Sequence, residues 1–138
     1  MENKTVIVIG AVNMDICGRP KAAPNMYDSN PGVVSLSPGG VGRNIAHNLR
    51  LLGLNVKFLA ALGSDVYGDS VYASCLELGM DMHLCRRISG GRTSSYLYIT
   101  DEKGDMLVGV SDTDISGSIT PDYLKPHLSE INAADAVV

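Results

Sequence analysis

Thr5-Val6-Ile7-Val8-Ile9-Gly10-Ala11-Val12-Asn13-Met14-Asp15 is the stretch whose reading decides the fold. Five consecutive β-branched residues predict a strand buried on both faces, as in a parallel sheet. Gly10 ends that run, and in open α/β sheets ligands bind just beyond the carboxyl ends of the strands. Gly10–Asp15 therefore lies where a site is expected. A dinucleotide fingerprint would place a second glycine at position 12 and then a helix; Val12 and a β-like stretch stand there instead. Asp15 can accept hydrogen bonds from two sugar hydroxyls or satisfy the amides of a turn, and the local sequence leaves both open.

Outward from this segment, residues 14–20 and 32–37 read as two short strands joined by a loop rich in Pro, Asn, Asp and Gly. Val41, Ile45, Leu49 and Leu52 recur at helical spacing and predict a helix over 41–52, with Arg43, His47, Asn48 and Arg50 largely elsewhere and Gly53 as its stop. Val56–Leu62 is the next buried strand. Ser64 or Asp65 then caps a helix to Leu78, with Val71, Cys75 and Leu78 inward and Gly79 behind it. Residues 82–88 form a short strand. Ser94–Thr100 and Asp105–Val110 make a hairpin around the turn at 101–104. Pro121 opens a last helix with Leu124, Leu128 and Ile131 inward, and residues 133–138 begin another strand. The alternation predicts an α/β fold with a mainly parallel central sheet and right-handed crossovers. The strands of about 14–37 and 94–111 break it, and predict a small β lid above the carboxyl ends of the main strands.

The chain of 138 residues, 45% apolar and 19% charged, fits one domain with a normal packed core. A net charge of −4 without a Lys/Arg cluster argues against a nucleic acid polymer or a membrane surface as partner. Cys17, Cys75 and Cys85 show no C-x-x-C spacing, and His47, His83 and His127 share no ligand spacing, so a disulfide framework or a zinc site is not expected. The run 5–9 is too short for a membrane span or a signal segment, and cytoplasmic residence is the expectation. The apolar residues at 133–138 read as a sheet whose remaining strands lie beyond Val138.

Pro38-Gly39-Gly40-Val41-Gly42-Arg43-Asn44 leads into the first helix. Its glycines let backbone approach a ligand, and the helix start offers unpaired N–H donors. No Gly-Lys-Ser/Thr follows, so it is not a Walker loop. The Asn44 amide can donate and accept at once, which suits vicinal hydroxyls. In isolation Asp28-Ser29-Asn30-Pro31-Gly32 is a turn, Thr93-Ser94-Ser95 a hydroxyl-rich strand start, and Gly63-Ser64-Asp65 with Gly68 a helix cap.

In order, Gly10-x-x-Asn13-x-Asp15, Gly39-Gly40-x-Gly42-x-Asn44, Gly63-x-Asp65-x-x-Gly68 and the hairpin make this chain resemble the ribokinase-like (PfkB) sugar and nucleoside kinases over nearly its whole length. Asp28–Gly32, Gly39–Ala46 and Thr93–Tyr96 are most similar to the pseudouridine kinases of that family. Ribokinases proper usually carry Lys where Val41 stands. The resemblance implies a ribokinase-like sandwich represented by its N-terminal half, with residues 1–138 as part of one kinase domain. It implies ATP, Mg²⁺ and a monovalent cation such as K⁺ as cofactors, and a homodimer formed through the lid. It assigns the ribose to Asp15, Gly40 and Asn44, with Asn13, Gly39 and Gly42 shaping the pocket, and polar contacts of the base to Ser29, Asn30, Thr93 and Ser95.

The family's second signature, with the catalytic Asp, is expected beyond residue 138. The function so implied is ATP-dependent phosphorylation of the ribose 5′-hydroxyl of pseudouridine, this chain supplying the nucleoside-binding half and being inactive alone. The alternatives are another sugar or nucleoside kinase of the family, such as a ribokinase, and a catalytically inactive binding module.

Overall fold

The computed structural model describes residues 4–138. Strand β1 (Thr5–Ile9) sits at the centre of a parallel sheet, between β4 (Asn55–Leu59) and β9 (Ala136–Val137). Its β-branched run is buried on both faces, as the sequence predicts. Val6 and Val8 join Val56, Phe58 and Ala46 in one apolar cluster, while Ile7 joins Leu59 and Leu84 in a second on the opposite face. Each fully buried side chain of this size contributes about 1.5–3 kcal/mol.

Helices α1 (Val41–Leu51) and α2 (Val66–Glu77) contribute to the first cluster through Ala46, Val71 and Cys75. The second cluster is covered by the C-terminal segment, through Ile119, Tyr123, Leu124 and Ile131. Burial pushes the thiols of Cys75 and Cys85 up, that of Cys85 to about 11, as for packing groups rather than nucleophiles.

The short strands form a separate four-stranded sheet of order β3-β2-β7-β8, made of β2 (Asn13–Pro20), β3 (Gly32–Gly39), β7 (Ser95–Thr100) and β8 (Met106–Asp112). β2 runs antiparallel to β3 and parallel to β7. A third, two-stranded sheet pairs β5 (Ala61–Gly63) with β6 (Arg86–Ile88).

Several elements differ from the sequence expectation. The strand expected over 56–62 is split at Ala60 into β4 and β5. Only 86–88 of the expected strand 82–88 is extended in a sheet; Lys57 and Asp81 form a single bridge beside it. The last helix is broken by Pro126 into α3 (Pro121–Leu124), a 3₁₀ turn at Lys125–His127 and α4 (Leu128–Ala133), because proline cannot donate the helical hydrogen bond. Leu128, expected inward, is exposed.

Of the face expected inward on α1, Ile45 and Leu49 pack against the first cluster, but the two ends differ. Val41 and Leu52 are exposed, whereas Gly42 and Arg43 are buried. The cause is the contact between α1 and the end of β1. A Cβ on Gly42 would lie 2.8 Å from Gly10 Cα, so the two backbones touch there and turn the Gly42 side inward. Arg43 follows it into the interior, where its guanidinium donates to Ser74 Oγ at 2.7 Å.

A charged cluster fastens α4 to the sheet. Glu130 pairs with Lys57, and the His83 ring lies between Asp81 (2.7 Å) and Glu130 (3.0 Å). Hydrogen bonds to Glu130 and then Asp81 hold the His83 pKa above its ordinary value, against a smaller opposing effect of burial. A raised folded pKa gives stability that is complete below the unfolded pKa and is lost as pH rises through the folded one. The melting-temperature difference between wild type and His83→Ala should therefore be larger near pH ~6 than near pH ~9. Because the ring is half-exposed the difference is small, and thermal unfolding across that range checks its sign.

Candidate functional site

The site is built where β1 ends, β2 begins and α1 starts. In the β2–β3 register Asn13 lies opposite Gly39 and Asp15 opposite Ser37, so these residues share one face of the lid sheet. The Asn13 amide donates to Asp15 Oδ1 at 2.5 Å. The other carboxylate oxygen lies against Gly39, where any side chain would collide with it. Gly40 is the N-cap of α1 with φ +100°, a conformation that favours glycine. A Cβ there would lie 2.7 Å from Ala11 O and 2.9 Å from Asn13 Oδ1. The two glycines are thus required by contact with Asn13 and Asp15, and the same contact brings a carboxylate to a helix start.

Asp15 is half-buried and joins no ion pair among the described residues. Arg43 N–H donates to Ala11 O at 3.3 Å, which ties the first turn of α1 to the Gly10–Asn13 segment, and Asn44 N–H donates to Gly40 O at 2.9 Å as the first bond of the helix itself. Asn44 is exposed one turn beyond Gly40, and helical side chains lean toward the N-terminus. Gly39 and Gly40 thus set a constellation of Asn13 and Asp15 at the start of α1, with Asn44 on the first turn of that helix. Its carboxylate and two amides are suited to a polyhydroxyl ligand.

The four residues expected at the base are placed elsewhere. Ser29 and Asn30 sit in the loop at the far end of the β2–β3 hairpin, where Pro20 pairs with Gly32. Five residues of extended chain separate Asp15 from Pro20, a span of roughly 15–20 Å. The Asn30 amide closes its own loop, accepting from Asn25 N–H at 2.8 Å and donating to the Asn25 and Asp28 carbonyls at 3.0 and 3.1 Å. A groove of about 440 Å³ opens at this tip, lined in part by Gly18, Asp28, Asn30, Val34 and Ile99, away from Asp15.

Thr93 is buried and its hydroxyl is occupied. Oγ1 accepts from Gly63 N–H at 3.0 Å and donates to Asp65 Oδ1 at 2.6 Å, while Thr93 N–H donates to Asp65 Oδ2 at 2.8 Å. Asp65 also caps α2 by accepting from Gly68 N–H at 2.7 Å. Burial alone would raise the Asp65 pKa. The Thr93 and Gly68 hydrogen bonds and the Arg87 charge outweigh it and leave the group below its ordinary value. Gly63, Asp65, Gly68 and Thr93 therefore form one clasp that pins the start of β7 to the α2 cap. Ser95 pairs with Met14, on the sheet face opposite Asp15.

The residues that do share Asp15's face on β7 are Tyr96 and Tyr98, which sequence reading did not assign. Tyr96 lies directly beside Asp15 and Tyr98 beside Cys17 in the parallel register. The rings are stacked with centroids 5.3 Å apart. The signal available in the sequence was the alternation of Tyr96 and Tyr98 around Leu97. Its interaction with Cys17 first, then burial and the nearby Asp15 charge, hold Tyr98 above its ordinary pKa.

A half-buried carboxylate against a glycine-lined helix start, at the open end of a parallel sheet and beside a separate β layer, defines the ribokinase-like class of α/β fold. Residues 3–138 match the pfkB family of carbohydrate kinases, and the chain belongs to that family. It is 43% identical over 137 residues to a pseudouridine kinase of Escherichia coli (strain K12), covering 99% of this chain and 44% of that protein. A guanosine-inosine kinase of Exiguobacterium acetylicum is 27% identical over 96% of this chain and 44% of its own length. Among solved structures, a carbohydrate kinase from Agrobacterium tumefaciens superposes with a TM-score of 0.86 at 30% identity, over 97% of this chain and 44% of that one. Ribokinase from Giardia lamblia, 23% identical, shares the fold with a TM-score of 0.82, over 98% of this chain and 44% of its own. The chain thus spans less than half the length of these relatives.

Kinases of this family are phosphotransferases that use ATP. No three His, Cys, Asp or Glu side chains gather as metal ligands among the described residues. None of the helices among those residues is long and apolar enough to cross a membrane.

The clasp yields a direct expectation. Thr93→Val leaves Gly63 N–H unpaired and removes one of the Asp65 donors, and should lower stability by about 1–3 kcal/mol in denaturant unfolding. Thr93→Ser, which keeps the hydroxyl, should recover most of that loss.

Proposed function

We propose that this chain is the nucleoside-gripping part of an ATP-dependent kinase acting on the ribose 5′-hydroxyl of pseudouridine. The observation that carries the reading is the contact of the Asn13–Asp15 pair with Gly39 and Gly40 at the start of α1. A carboxylate with one oxygen steadied by an amide and no cation partner is a strong acceptor for two vicinal hydroxyls. Asn44, one turn along α1, adds a group that donates and accepts. The identity to the E. coli pseudouridine kinase supports the choice of nucleoside over a free sugar. Val41 stands where a lysine donor to the sugar would favour ribose.

ATP supplies the transferred γ-phosphoryl group. The residues of this chain orient the acceptor, which is much of what in-line phosphoryl transfer requires of a protein. With the 2′- and 3′-hydroxyls fixed at Asp15, the 5′-hydroxyl is directed away from the lid sheet toward the open ends of the main strands. The lid sheet excludes water from that space and limits hydrolysis of ATP.

The opposite lid face carries exposed Val34, Leu36, Leu97, Val108 and Val110 in register across three strands. This apolar surface is the proposed seat of a second copy, giving a homodimer through the lid. Val110→Asp should shift sedimentation to the monomer, and a wild type that sediments as a monomer at all concentrations removes the dimer from the reading.

Asp15→Ala should weaken pseudouridine binding, measured by calorimetry, by about 10- to 100-fold, the range of a lost charge-assisted hydrogen bond pair. Equal affinity of wild type and variant would exclude Asp15 from the site and with it this function.

A further inference from the structure

The lid face next to Asp15 is lined by aromatic side chains rather than by the serines and threonines that surround it in sequence. Tyr96 and Tyr98 are two residues apart on β7, so both point to the face that carries Asn13, Asp15 and Cys17. The aliphatic residues of the same strand, Leu97 and Ile99, point the other way. The tyrosines are half-buried and belong to neither apolar cluster of the core. Core packing therefore does not account for them.

Their arrangement is supported from both sides. Gly109 faces Tyr98 across the β7–β8 pair, and a Cβ there would lie 2.7 Å from the Tyr96 hydroxyl. The missing side chain lets the Tyr96 ring lie over β8, where its hydroxyl reaches Met106 Sδ at 2.9 Å. Tyr98 pairs with Cys17 on β2, two residues along the same face from Asp15. Stacked on one another, the two rings form an aromatic patch that begins beside the carboxylate and leaves an outer ring face free.

We infer that Tyr96 and Tyr98 form a stacking subsite for the planar heteroaromatic base of a nucleoside whose ribose is held at Asp15. This rests on the nucleoside-kinase reading above and deepens it: the sugar is gripped by the β2–α1 junction, and the base is selected by the lid. In a nucleoside the base is attached one carbon from the 2′-hydroxyl, so a sugar bound at Asp15 brings the base within reach of the neighbouring strand, about 5 Å away. Stacking needs only the π face of the ring, so it distinguishes a nucleoside from a free sugar more sharply than one base from another.

The test measures pseudouridine, uridine and D-ribose binding by calorimetry on the full chain, for wild type, Tyr96→Leu, Tyr98→Leu, the corresponding Phe variants and Asp15→Ala. The expected result is a loss of about 5- to 100-fold in affinity for both nucleosides in the Leu variants, with ribose affinity unchanged and the Phe variants close to wild type. Asp15→Ala should weaken all three ligands. If the Leu variants bind nucleosides like wild type while Asp15→Ala does not, the stacking subsite is wrong and the kinase reading stands. If the Leu variants weaken ribose and nucleosides equally, the tyrosines only support the lid, and the inference is equally overturned. No binding of any ligand by a folded wild type overturns both.

Discussion

The contact of Gly10 with Gly42 sets the geometry on which everything else depends. Two backbones without side chains meet at the point where the first strand leaves the sheet and the first helix enters it. That contact seats α1 so that its N-terminus faces the segment Ala11–Asp15, and the hydrogen bond from Arg43 N–H to Ala11 O holds it there. A methyl group at either position would push backbone against backbone, which no rotamer change relieves. The β2–β3 pairing then sets the Asp15 carboxylate against Gly39, and the Asn13 amide against Gly40.

Around that junction the fold separates two tasks. The central sheet and its two apolar clusters provide rigidity through β1, buried on both faces. The second sheet carries one apolar face and one face with the carboxylate, amide and phenol groups. The clasp of Asp65 and Thr93 joins the two, since the carboxylate that caps α2 also holds the residues leading into β7. A polar network with both donors and acceptors satisfied is a stiff pivot, well suited to a lid strand that must sit at a defined height above the site.

The Gly63-x-Asp65-x-x-Gly68 segment thereby has a structural reason that its sequence alone left as a simple cap. Gly68 has no room for a side chain against Gly63 O and Thr93 Oγ1, and the Thr93 hydroxyl bridges a backbone amide and the capping carboxylate. Asn30 is comparable: its amide closes its own loop at the hairpin tip instead of lining the site beside Asp15. Hydroxyl and amide side chains near a ligand-binding motif in sequence are thus equally good at fastening the chain to itself.

Local pattern determined the parallel core, both main helices and their glycine stops, and the β2–β3 and β7–β8 pairs. Those features follow from periodicity, chain-breaking residues and short-range motif spacing, all of which are visible along a single chain. Tertiary structure alone decided the burial of Gly42 and Arg43 at the start of α1, the division of the strand at Ala60, the removal of Thr93 and Ser95 from Asp15's face and the placing of Tyr96 and Tyr98 upon it. Each of these depends on strand register or on a backbone contact between residues tens of positions apart. A shift of one residue exchanges the two faces of a strand, so no local pattern could have determined which side chains meet Asp15.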